Sequence, residues 1–197
     1  MNLTEFSPLL SAELPLAEFS EHMRLGSGFI DDGAQNTLLE SCLRAAMGAI
    51  EARTKKILIT RRFNLILSTW RLEAGAQALP ISPVTTLIQL KIYEQDGSFE
   101  VISPSQYGLL NDGQRPRLFS KTGGLPQIAP NGYAQIIFFA GFGDWSKVPA
   151  DLRQAMLMLA ASYYENRDAM VSGAGQMPFG VAALIEPYKR FRLGGAP

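Results

Sequence analysis

The spacing of apolar residues changes character twice along this chain. From Leu16 to Leu25 (LAEFSEHMRL) apolar residues return at helical intervals and stop at Gly26, which predicts a short helix. From Ala34 to Lys56, the residues Leu39, Leu43, Ala46, Met47, Ile50 and Thr54 run at steps of three and four, which predicts a long helix. Gly48 inside it costs roughly 1 kcal/mol relative to Ala, and close packing against another element would offset that. The pattern then shifts. Ile57 to Trp70 (ILITRRFNLILSTW) is rich in branched and aromatic residues and predicts a strand. Arg71 to Ala78 reads as a loop and Leu79 to Pro83 as a rigid corner. Val84 to Glu94 is a second long strand, Asp96-Gly97 a hairpin turn, and Phe99 to Ile102 the return strand. Ser105 to Leu110 and Arg117 to Phe119 read as short strands around Asp112-Gly113, and Ala134 to Ala140 (AQIIFFA) closes the strand region.

The helical period returns after Pro149. Asp151 can accept bonds from the free amides of a first helical turn. Leu152, Met156, Leu159 and Tyr163 then share one face, while Ala155, Leu157, Met158 and Ala160 cover most of the rest. A helix this apolar must be buried in a core or an interface. Glu165 to Asp168 return the chain to water, Ser172 to Pro178 break the helix, and Phe179 to Glu186 form a last short one. Helices, then strands, then helices is an α+β order. The expected architecture is a helical core formed by the N- and C-terminal helices with an inserted antiparallel β lobe. Its expected boundaries are an arm over 1–15, helices within 16–56, a β insert over 57–142, helices over 150–186 and a tail over 187–197.

Composition narrows the function class. At 197 residues and 47% apolar, the chain can build one substantial core, and at 18% charged it leaves apolar surface for an oligomer to cover. A formal net charge of zero argues against broad phosphate binding. No apolar run approaches the ~20 residues of a membrane span, and the start, MNLTEFSPLL, lacks the features of a signal peptide. The single cysteine, Cys42, cannot form an internal disulfide and reads as a small buried hydrophobe. His22 is the only histidine, so a triad or a histidine-based metal site has nothing to build on. Asp31-Asp32-Gly33 reads as helix capping, because the oxygen-ligand pattern of a cation loop is missing. Gly141-Phe142-Gly143 lacks the third glycine and following helix of a dinucleotide fingerprint and reads as a turn presenting Phe142 and Trp145. Gly123-Gly124 lacks the ending of a phosphate loop. The sequence therefore supplies no catalytic residues, no metal site and no cofactor site.

Two charged features carry more. Acidic residues, among them Glu18 and Glu21, dominate the first 32 positions. Basic residues, among them Arg53, Lys55, Lys56, Arg61 and Arg62, dominate 44–62. These are either solvated faces or complementary ends that meet between neighbouring subunits, a head-to-tail contact that closes into rings. In the tail, Tyr188, Lys189, Arg190, Phe191, Arg192 and Leu193 mix aromatic and basic residues, the chemistry of interface anchors.

Four segments in order give a resemblance. LAEFSEHMRL…DDGAQNTLLESCLRAAMGAIEARTKKIL, LPISPVTTLIQLKIYEQDGSFEVISPSQYGL, AQIIFFAGFGDWSKVP and VPADLRQAMLMLAASYYENRDAM with MPFGVAALIEPYKRFRL resemble the head–tail connector proteins of long-tailed double-stranded DNA phages and gene transfer agents, also called adaptor or head-completion proteins. The likeness runs from Leu16 to Leu193. It implies a non-enzymatic virion part, a homo-oligomeric ring (typically a dodecamer) beneath the portal protein. Such a ring extends the DNA channel, with DNA only as passing cargo, and gives tail stopper or terminator proteins a docking surface. It also implies that Tyr188 to Leu193 contact the portal and that no membrane is involved. Another head-completion or tail-terminator part is the alternative, followed by a small ligand-binding module in the strand lobe.

Overall fold

The structure, a computed structural model, describes residues 1–24, 33–166 and 177–189. It mixes helices with antiparallel sheets and divides into two compact units, Met1–Pro8 with Ile59–Phe142, and Leu9–Leu58 with Gly143–Pro197.

The helical unit contains α1 (Leu16–His22), α2 (Gly33–Thr54), α3 (Ala150–Glu165) and α4 (Phe179–Ile185). Helix α3 packs on both α2 and α4. The predicted face of α2 is buried through Leu39, Leu43, Ala46, Met47 and Ile50, opposite Leu152, Ala155, Met156, Leu159 and Ala160 of α3. Gly48 does not mark a close approach: it is exposed, and a Cβ there would meet nothing within 4 Å. The tight contact is at Gly180 of α4, where a Cβ would lie 3.0 Å from Met158 Cε. Helix α2 ends where Lys55 takes a left-handed φ of 58°. The Thr54 hydroxyl donates to the Ile50 carbonyl at 2.8 Å and accepts the Lys56 N–H at 3.1 Å. The Leu58 N–H donates to Glu51 at 2.9 Å. These bonds keep 57 and 58 with the helices, so the strand expected over Ile57 to Trp70 spans only Arg61–Leu67.

The β unit holds two antiparallel sheets. The larger has the order β1 (Asn2–Glu5), β2 (Arg61–Leu67), β9 (Tyr133–Ala140), β5 (Val84–Tyr93) and β6 (Phe99–Ile102). The smaller has the order β3 (Leu72–Glu73), β4 (Ala76–Ala78), β8 (Arg117–Ser120) and β7 (Tyr107–Leu110). Alternation along β2 and β9 sends Phe63, Leu65, Leu67, Ala134, Ile136 and Phe138 inward, as the two-residue period requires. Strand β7 meets β5, and its Tyr107 is buried. Gly141 follows β9 at φ 136°, its N–H donating to the Pro83 carbonyl at 2.9 Å. A Cβ there would collide with the Thr60 backbone, so only glycine fits.

Two expectations need correction. The lead over 1–15 is not an irregular arm. Asn2–Glu5 pair with β2, and Arg44 donates to the Leu9 carbonyl at 2.9 Å while pairing with Glu40, which also accepts the Ser11 hydroxyl at 2.9 Å. Backbone pairing and a charge network order this segment despite its prolines. The stretch Arg71 to Ala78 is not a loop but the β3–β4 hairpin. Ala74 and Gly75 both take positive φ (49° and 77°), the geometry of a tight two-residue hairpin turn. Ala at a position that favours Gly or Asn hid the turn.

The alternation in β9 makes a sharp prediction. Phe138 is fully buried and its neighbour Phe139 is 38% exposed on the other face. Phe138→Ala should cost about 3–5 kcal/mol, and Phe139→Ala about 1 kcal/mol or less, measured by chemical denaturation of the isolated subunit. Equal losses would contradict this assignment of faces.

Candidate functional site

The C-terminal segment is built on α3. After α4 the chain makes a short 3-10 turn over Glu186–Tyr188, forced by Pro187. This brings the Tyr188 hydroxyl back to α3, where it donates to Asp151 Oδ1 at 2.8 Å. The same carboxylate oxygen accepts the Leu152 N–H at 3.0 Å. Burial, followed by the hydrogen bond and negative charge of Asp151, pushes the Tyr188 phenol up to about 12. Lys189 forms an ion pair with Glu186. Of the six tail residues singled out in the sequence, Tyr188 and Lys189 are thus engaged by their own helical unit. Arg190, Phe191, Arg192 and Leu193 lie outside the described residues.

The residues expected at a charged subunit contact separate into two groups. Lys56 and Arg61 are buried and so cannot form part of an exposed basic patch. Arg61 occupies an inward position of β2, ion-pairs with Glu5 at 3.2 Å and lies 5.6 Å from the Phe63 ring. Glu18 accepts the Trp145 indole N–H at 2.5 Å. Arg62 sits 3.6 Å above the Phe6 ring. Glu21, Arg53 and Lys55 are exposed. The net-charge pattern could not separate these groups, because the partners Glu5, Trp145 and Phe6 are remote in sequence or belong to the misjudged lead.

A feature the sequence reading missed is the outward face of the larger sheet. The register places Tyr93 opposite both Phe99 and Tyr133, and Lys91 opposite Val101 and Gln135. Tyr93 and Tyr133 stack with ring centroids 4.6 Å apart at 10°, and Tyr93 lies 5.2 Å from Phe99. Lys91 Nζ sits 4.5 Å from the Phe99 ring. Across the sheet, Ile137 and Phe139 of β9 and the Phe6–Arg62 pair continue the face. None of the paired strand positions on this side is Asp or Glu. The signal was present in the odd-numbered residues of β9, but alternation alone does not say which side is left open.

His22 is exposed in the last turn of α1, and Cys42 is buried on α2. Among the described residues no three His, Cys, Asp or Glu side chains gather as a metal set, and no helix is long and apolar enough to cross a membrane. Asp31 and Asp32 lie outside the described residues.

No family model matches the chain, and no curated protein does. Solved structures do. The chain is 46% identical, with a TM-score of 0.89, to a protein in the neck of an empty GTA particle computed with C6 symmetry, covering 100% of both chains. It is 45% identical, with a TM-score of 0.86, to one in the virion of a native gene transfer agent (GTA) particle, covering 100% of this chain and 99% of that one. It is 43% identical, with a TM-score of 0.84, to one in the neck of a native GTA particle computed with C12 symmetry, covering 100% of both.

The Tyr188–Asp151 bond can be read in solution. Neutral Tyr188 is favoured in the folded state, so its contribution is complete below the ordinary tyrosine pKa of 10.0 and is lost as pH rises toward 12. Stability should fall across that window, and Tyr188→Phe should flatten the fall and remove one late-ionising tyrosine from an alkaline absorbance titration. At neutral pH the substitution should cost about 1.5 kcal/mol, the lower range for a bond to a charged acceptor. An unchanged titration would place the phenol in water.

Proposed function

Because the chain belongs to the neck proteins of gene transfer agent particles, we propose that it is the ring-forming adaptor between the capsid portal and the tail. In this reading its role is structural rather than catalytic, and it resides at the head–tail junction. Copies form a closed ring, a dodecamer, that extends the channel for DNA, which passes as cargo. The far side of the ring docks tail stopper or terminator proteins. The observation that carries the reading is similarity over the whole chain to a protein in a neck computed with C12 symmetry.

The geometry supports a division of labour in the tail. Tyr188 and Lys189 are its root, held to the helical unit by the bond to Asp151 and the pair with Glu186. Arg190, Phe191, Arg192 and Leu193 are the portal-contacting part. Four residues bind weakly alone, but on a ring each bound copy raises the effective concentration of the next. Glu21, Arg53 and Lys55 remain available for a charged contact between subunits, as exposed side chains of the helical unit.

The test is a chain ending at Lys189. It should keep the circular dichroism and melting temperature of the full chain yet be absent from purified particles. Incorporation at the full-length level would remove the tail from the portal contact.

A further inference from the structure

Resting on the portal reading of the tail, we propose that the outer side of α4 belongs to the same contact: Phe179, Ala183 and Pro187 lie against an apolar patch of the portal, beside the site that takes the tail.

A helix with one side on a core is expected to be polar on the other. Helix α4 is not. From Met177 to Ile185 (MPFGVAALI) no side chain carries a charge, a hydroxyl or an amide. Val181 and Ile185 are fully buried, and α4 packs on α3. Phe179 and Ala183, one turn apart, share the opposite side and are exposed, Phe179 to 89%. Glu186 and Pro187, also exposed, carry that side on into the 3-10 turn. Among the described residues the next most exposed large apolar side chain is Met1, at the start of the chain, at 71%. Phe179 is thus open well beyond the rest, and it sits on an ordered helix rather than at a chain end.

The side is also held in place. Near its start a Cβ on Gly180 would lie 3.0 Å from Met158 Cε of α3, and beyond its end Tyr188 donates to Asp151 of the same helix. A surface fixed in this way loses little freedom when it is covered.

The ion pair of the tail root points to the occupant. Tyr188 turns inward to α3, but Lys189 pairs with Glu186, which lies on the outer side of α4. Lys189 is extended, with φ −66° and ψ 142°. The last described residue before the tail is therefore tied to the open, apolar side of α4. Three residues span at most about 11 Å, so a surface that grips Arg190 lies within that reach of Pro187. A portal that holds the tail has Pro187, Ala183 and Phe179 beside it. A neighbouring copy covering that side would compete for it with the tail's own partner. Burying Phe179 also supplies apolar area that a four-residue anchor lacks.

The test uses the full chain. A benzophenone amino acid in place of Phe179, irradiated in assembled particles, should join the chain to the portal protein. Phe179→Ser should leave the melting temperature of the free subunit unchanged and weaken binding to isolated portal rings roughly tenfold, the lower end for burying one large apolar side chain. Ala183→Arg, which puts a charge into the apolar contact, should do the same. Adducts only with another copy or within the chain, or no adduct, would overturn the proposal, as would full-strength portal binding by both variants. A lower melting temperature for Phe179→Ser would overturn it too, because the ring would then be covered by its own chain. A chain ending at Lys189 that still enters particles at the full level would instead overturn the portal reading on which it rests.

Discussion

Helix α3 has almost no polar side, and the helical unit is organised around covering it. Leu152, Ala155, Met156, Leu157, Leu159 and Ala160 are all buried. Each fully buried large apolar side chain contributes about 1.5–3 kcal/mol relative to exposure, so leaving one flank of α3 open would be costly. Helix α2 covers one flank and α4 another. Covering α3 with α4 has a consequence for the end of the chain. Val181 and Ile185 hold α4 down, and the turn after Ile185 returns Tyr188 to Asp151 in the first turn of α3. The root of the tail is therefore set by the same packing that makes the unit stable. A change that loosened α4 would move the tail as well as weaken the core.

The β unit solves the opposite problem. One side of its larger sheet is filled by Phe63, Leu65, Ile136, Phe138 and Leu90, while the other is left half-exposed with aromatic rings and two tethered cations. The cation–π contacts hold Arg62 over Phe6 and Lys91 over Phe99, so both side chains are already oriented on this face.

How much of this was legible depended on distance along the chain. The periods of α2 and α3, the strands β2, β5, β6 and β9, and the turn at Asp96-Gly97, where Gly97 has φ 85°, could be read locally. Cys42 as a buried small residue could be read the same way. What failed was pairing. Asn2–Glu5 look irregular until β2 stands beside them, and Lys56 and Arg61 look like surface cations until burial places them inside. Glu18 with Trp145, and Asp151 with Tyr188, are joined across 127 and 37 positions, which no window of sequence reveals. The Ala74-Gly75 turn failed for a different reason: its geometry favours glycine or asparagine, and alanine supplies neither cue. Local order came from the sequence; the state of each charged side chain came only from its partners.

If copies of the chain meet through contacts too weak to hold a pair in solution but sufficient on a template, the proposed ring closes only where the portal is present. Sedimentation velocity of the purified chain, alone and with isolated portal rings, separates the cases. Monomers alone at dilute concentration and, with portal present, a single heavier species carrying a full ring of copies with few intermediates are expected. A stable ring without the portal, or monomers that ignore it, would rule this out.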